Sequence, residues 1–187
     1  MTQQTLSDAV RQRYGDSDQP SELIWNETLE LLLSHRSVRA YRQEPLPSGT
    51  LETLVAAAQS ASTSSNLQAW SVVAVEESAR KARLSQFAGN QAHIRDCPLF
   101  LVWLADLSRL GRVASQQNIA HAGLDYTEMF ILAVIDAALA AQNAVVAAEA
   151  LGLGTVYIGG IRNQPLDVVN ELQLPPRVFP VFGLCVG

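Results

Sequence analysis

The chain has 187 residues, 48% of them hydrophobic and 17% charged, with a formal net charge of -5. That length supports one domain with a sizeable core, and an acidic balance without lysine-rich runs excludes the broad basic footprint that nucleic-acid binding requires. Cys97 and Cys185 fall in no metal-ligand or redox spacing, so they read as buried reduced thiols rather than a disulfide framework.

Residues 1–20 are polar and lack the apolar segment of a signal peptide, which points to the cytoplasm. A short helix is predicted from Thr5 to Tyr14, then a loop from Gly15 to Pro20. A second helix is predicted from Ser21 to Ser34, its face built from Leu23, Ile24, Leu29 and Leu31 to Leu33. It delivers the turn His35-Arg36-Ser37-Val38-Arg39, where an acidic protein concentrates positive charge. Arg36, Arg39 and Arg42 carry permanently charged planar donors and Ser37 adds a hydroxyl, the donor set of an anion site. The same residues also suit a solvated helix C-terminus, where cations meet the negative end of the macrodipole. Local sequence leaves both readings open.

Pro45 and Pro47 end regular structure, and Ser48 is expected to cap a helix through Ser60 with Leu51, Leu54, Val55 and Ala58 buried. A run of small polar residues from Ala61 to Ala69 then leads into a strand, Trp70 to Val75. A polar loop anchored at one end by a strand can line a ligand. A helix from Glu77 to Phe87 and a loop at Gly89-Asn90-Gln91 precede a continuous apolar run, Pro98 to Ala105, suited to a strand covered on both faces.

The longest predicted element is a helix from Tyr126 to Leu151, apolar on nearly all sides. It approaches membrane length, but Asp136, Gln142, Asn143 and Glu149 interrupt it, so a core or subunit-interface helix is expected and no membrane span. Gly152 and Gly154 stop it before the strand Thr155 to Ile158, which runs into Gly159-Gly160. Asn163 is expected to cap a helix from Gln164 to Glu171, and the last strand runs from Val178 to Val186. This order fits an α+β architecture. Gly152-Leu153-Gly154 follows a helix and precedes a strand, the reverse of a dinucleotide fingerprint. His93 and His121 have no partners at metal-like spacing and read as structural or surface histidines, so hard chemistry would have to come from a cofactor.

Four motifs in order extend this reading: His35-Arg36-Ser37-Val38-Arg39-Ala40-Tyr41, the Ser62 to Gln68 loop, Gly89-Asn90-Gln91, and the stretch from Gly152 to Asn163. Together they resemble the nitroreductase family, in its NADPH-dependent, oxygen-insensitive nitroreductase and flavin reductase branch, over about residues 23–187. Residues 1–22 are then an N-terminal extension. The resemblance implies a three-layer α+β sandwich with a mixed central sheet and long buried helices, a homodimer with FMN at its interface, and small-molecule electron acceptors. It implies that His35, Arg36, Ser37, Val38 and Arg39 hold the phosphate, ribityl chain and pyrimidine edge of the flavin. Thr63, Ser64, Ser65 and Asn66 approach from the second loop, with Gln91 reaching the same cofactor. Tyr157, Ile158, Gly159 and Gly160 lie along the ring, the Gly159 amide nearest N5, and no side chain serves as acid or base. NADPH or NADH is the implied reductant in a ping-pong cycle. The branch normally continues beyond Gly187 with a Lys-Pro-Arg segment, so two expectations stand: an NAD(P)H-dependent reductase, or a dimeric flavin-binding protein with little turnover.

Overall fold

The computed structural model describes residues 3–16, 20 and 22–187. Along them run α1 (Gln3–Tyr14), α2 (Glu27–Ser34), α3 (Thr50–Gln59), β1 (Trp70–Val75), α4 (Ser78–Phe87), α5 (Ala92–Asp96), β2 (Leu99–Asp106), α6 (Ser108–Gln116), α7 (Thr127–Ala150), β3 (Thr155–Ile158), α8 (Pro165–Leu172) and β4 (Val178–Val186). The strands form one sheet in the order β1-β2-β4-β3, and each ladder is antiparallel. A parallel component enters through an isolated bridge between Ser37 and Thr155.

β2 shows why the sheet is a middle layer. All eight of its residues are buried, and successive side chains point to opposite faces. Leu99, Leu101, Trp103 and Ala105 join a core with α3 and α7, whereas Phe100, Val102 and Leu104 join one with α4, α5 and α8. An apolar run without alternation therefore becomes a strand with helices on both sides. Trp103 packs on Trp70 with ring centroids 5.5 Å apart, and its truncation to alanine would cost about 3–5 kcal/mol. Phe100 occupies space above Gly183, where an added Cβ would come within 2.4 Å of its ring. Cys97 and Cys185 are buried and free.

Helix α7 buries an alanine face, Ala133, Ala137, Ala140, Ala141, Ala144 and Ala148, so it lies close against α3 and the sheet. By length and composition it could cross a membrane, but this packing makes it the core helix expected from its polar interruptions. Its other side leaves Phe130, Ile131, Ile135 and Leu139 between 42% and 52% exposed. The last three recur every four residues as one stripe.

Several boundaries differ from those expected. Helix α2 begins at Glu27 because the Asn26 side chain caps it, accepting from the Leu29 amide at 2.9 Å; Ser21, the expected start, and residues 17–19 of the expected loop lie outside the described residues. At α3 the cap is Gly49, in the left-handed region at φ 84, and not Ser48. The first helical residue, Thr50, turns its hydroxyl back to the Pro47 carbonyl instead. Helix α8 starts with Pro165 at its first position, with Gln164 and not Asn163 as cap, because Asn163 closes the preceding turn on the Gly160 carbonyl. The helices α5 and α6 were not anticipated: α5 is five residues long, and α6 is nucleated by Asp106, whose carboxylate accepts from the Ser108 and Arg109 amides.

Candidate functional site

The turn after α2 is fixed from three directions. On one side the His35 imidazole meets the Glu149 carboxylate of α7, Nδ1 to Oε1, at 2.5 Å. On the second, the Val38 amide donates to the Thr155 carbonyl at 2.9 Å, continuing the Ser37 bridge to β3. Val38 packs where an added Cβ on Gly154 would come within 2.8 Å of it, which explains Gly154 as a packing glycine. On the third side, Arg36 donates to the carbonyls of Leu33 and His35 and, at 3.2 Å, to Gln12 at the end of α1. Its guanidinium thus binds two helix C-termini, as the macrodipole reading of this turn anticipates. Arg39 is different. Among the described residues no hydrogen bond or ion pair engages its guanidinium or the Ser37 hydroxyl.

Strand β3 carries this turn toward a second piece. It ends in a 3-10 turn, Gly159–Arg162, pinned where Arg162 donates to the Val181 carbonyl. An added Cβ at Gly160 would lie 2.6 Å from both the Ala88 carbonyl oxygen and Gln91 Nε2, so only glycine lets these backbones touch. Gln91 itself is oriented by donating to that Ala88 carbonyl at 2.7 Å. Two residues later, His93 buries an Nε2 without a partner among the described residues. Burial, and then the nearby Arg39 charge, hold its pKa below the ordinary 6.5. The Tyr157 ring stands edge-on to Phe182 at 5.1 Å, and burial followed by the Glu149 charge raises its phenol well above the usual range.

The loop of small polar residues sits elsewhere. Asp136, buried at 1% exposure inside α7, accepts from the amides of Ser64 at 3.2 Å and Ala69 at 3.0 Å. Arg109 donates to the Gln68 carbonyl from α6. These grips hold Ser65, Asn66 and Gln68 in the left-handed region at φ 51, 54 and 49. Ser62, Thr63 and Ser64 line a 180 Å³ hollow with Ile131, Ile135 and Leu139.

One chain therefore brings together His35 to Arg39, Gln91 and Tyr157 to Gly160, and leaves Thr63 to Asn66 apart. Their anchors on α7, Glu149 and Asp136, are thirteen residues apart, which at 1.5 Å per residue is about 20 Å along the axis. Of two larger clefts, of 650 and 680 Å³, the first takes in Arg42 of the basic stretch, and neither includes a residue of the expected flavin set. Asp136 and Glu149 are the site-shaping residues that motif reading passed over as mere interruptions of α7. Their signal was present: ionised groups are rarely buried without partners, so carboxylates in an apolar helix announce something to hold.

Comparison with known proteins places this arrangement in a family. Residues 32–187 match the model of the nitroreductase family. The chain is 46% identical over 164 residues to "FMN reductase (NADPH)" of Bacillus subtilis, an alignment covering 87% of this chain and 66% of that protein. It is 42% identical over 160 residues to "Oxygen-insensitive NADPH nitroreductase" of Salmonella typhimurium, covering 86% and 65%. A solved nitroreductase structure from B. subtilis superposes with a TM-score of 0.84 at 46% identity, over 86% of this chain and 66% of that one. The chain thus spans just under two thirds of the length of these relatives. On the match to most of its residues and on its fold, this chain belongs to the nitroreductase family.

Proposed function

We propose that residues 23–187 form the FMN-binding domain of a homodimeric, cytoplasmic NAD(P)H-dependent flavin oxidoreductase. Its electron acceptors are nitroaromatics, quinones or flavins, used in a ping-pong cycle. The observation that carries this reading is the separation of the two site clusters along α7 beside an exposed apolar stripe. A two-fold partner that covers Phe130, Ile131, Ile135 and Leu139 brings the Thr63 to Asn66 loop of one chain toward the His35 to Arg39 turn of the other. The relatives named as NADPH-dependent reductases support the choice of reductant.

The residues present fit the cofactor. Arg39 and Ser37 offer a guanidinium and a hydroxyl with no partner among the described residues, the donors that a phosphate or a pyrimidine carbonyl recruits. His35, Arg36 and Val38 hold that turn through Glu149, two helix ends and β3. Gly159 carries no side chain at the end of β3, so a flat ring can lie against it with the Gly159 amide as donor to its N5, while Gly160 packs on Ala88 and Gln91. When bound, FMN supplies the hydride chemistry, taking reducing equivalents from a nicotinamide and passing them on. Arg39 contributes charge: a fixed cation at the pyrimidine edge favours the more negative, reduced form.

The test is direct. Purified protein titrated with FMN shows a perturbed flavin absorption spectrum and then oxidises NADPH when a quinone or nitroaromatic is added. No spectral change at micromolar FMN overturns the reading, and binding without nicotinamide oxidation overturns its catalytic half.

A further inference from the structure

Helix α1 precedes the family-matched residues, yet it touches the cofactor turn at two points. Val10 is 5% exposed and seats the helix. Arg13 donates to the His35 carbonyl at 3.2 Å, and the Gln12 carbonyl accepts from Arg36 at 3.2 Å. The helix ends there, with Gly15 at φ 80 returning its amide to the Arg11 carbonyl, so both contacts come from a defined C-terminus and not from a passing loop. The exchange is reciprocal. A guanidinium of α1 binds the backbone of the turn, and a guanidinium of the turn binds the backbone of α1.

We infer that Arg13, with α1 behind it, is a positioning residue for the flavin turn, holding His35 and Arg36 so that Ser37 and Arg39 are presented in one geometry. This rests on the flavin reading for its functional consequence, but its mechanical part does not. The turn faces opposing demands: β3 fixes it through the Val38 amide, while the Arg39 side chain is left without a partner and depends on its backbone for aim. The paired contacts with α1 remove the remaining freedom of residues 35 and 36. Ordering these residues before a ligand arrives lowers the entropy lost on binding. The arrangement also explains why the exposed Arg36 satisfies carbonyls: it is the second half of the clamp.

The experiment uses the full chain in three forms, wild type, Arg13→Ala and Arg13→Lys, with Arg11→Ala as control. Arg11 lies on the same helix in an exposed pair with Asp16. Two readouts are taken: amide exchange at Val38 without ligand, and the FMN dissociation constant. Arg13→Ala speeds Val38 exchange and weakens FMN by about threefold to tenfold, the loss of one hydrogen bond. Arg13→Lys restores both substantially, and Arg11→Ala moves neither. If Arg13→Ala matches Arg11→Ala in both readouts, the positioning role is overturned while the flavin reading stands. If Val38 exchange responds as expected but no form binds FMN, the clamp is supported and the flavin reading fails.

Discussion

Asp136 and Glu149 lie on one helix, and each holds a different polar segment: Asp136 the loop at Ser64 to Ala69, Glu149 the turn at His35. Thirteen residues of helix rotate by nearly 220° beyond whole turns, about 140° the other way, so the two carboxylates face different sides as well as different ends of α7. In the proposed dimer, a single helix thereby spaces two halves of a site that the second copy closes. Asp136→Ala leaves the buried Ala69 amide and the part-buried Ser64 amide without an acceptor. It should lower unfolding free energy by about 2–4 kcal/mol, with Asp136→Asn intermediate, as measured by urea denaturation. Equal stability of all three proteins would remove Asp136 as the loop anchor.

Arg39→Ala should weaken FMN binding by about tenfold or more, since a charge-assisted hydrogen bond contributes about 1.5–3 kcal/mol. Arg83→Ala is the comparison, because Arg83 pairs with Glu171 on the exposed side of α4. Titration by flavin fluorescence quenching reads both. Indistinguishable constants would take Arg39 out of the site.

Ile135 is 52% exposed in the single chain and central to the α7 stripe. Ile135→Asp should convert a dimer to monomers in sedimentation velocity and abolish FMN binding in the same samples. A monomeric variant that still binds FMN at wild-type affinity would contradict the shared-site arrangement.

His93 is the titrating group whose sign can be worked out. Its folded-state pKa lies below the unfolded 6.5, so between the two values the unfolded chain binds more protons. Stability then rises with pH in that window and is lost as pH falls below about 6.5 toward the folded value. His93→Gln should flatten this acid limb in thermal melts taken from pH 7.5 to pH 5, values chosen about one unit either side of the ordinary histidine range. An unchanged limb would mean that other groups set it.

Gly160→Ala places a methyl 2.6 Å from the Ala88 carbonyl and the Gln91 amide. Overpacking of this kind costs about 1–3 kcal/mol, and the Gln91 side chain is the part able to yield. Weaker FMN binding with a lowered melting temperature is expected. A variant matching wild type in both would show that the turn has slack.

Much of the fold was legible because periodicity and punctuation agreed. Trp70 to Val75, followed by Glu76, and Val178 to Val186, preceded by Arg177, appear at the expected limits. The continuous apolar run of β2 implied burial on both faces, and its residues divide between two cores. Helix starts were less legible, because capping depends on which nearby polar group finds the free amides. Asn26 starts α2, Gly49 displaced Ser48, and Gln164 displaced Asn163. At the site, the residue types of the basic turn were readable, but their allegiance was not. Arg36 and Arg39 are the same side chain three residues apart, and the placement of the α2 and α1 C-termini decides that one clamps backbone while the other stays open. Nor could sequence order show that Thr63 to Asn66 and His35 to Arg39 sit at opposite ends of α7, since that spacing is a property of the packed helix.

The most direct test of the central claim is an FMN titration of the purified protein followed by visible absorbance, with NADPH then added under anaerobic conditions. A perturbed flavin spectrum saturating at one FMN per chain and bleaching with NADPH is the predicted result. A spectrum identical to that of free FMN throughout the titration would contradict it.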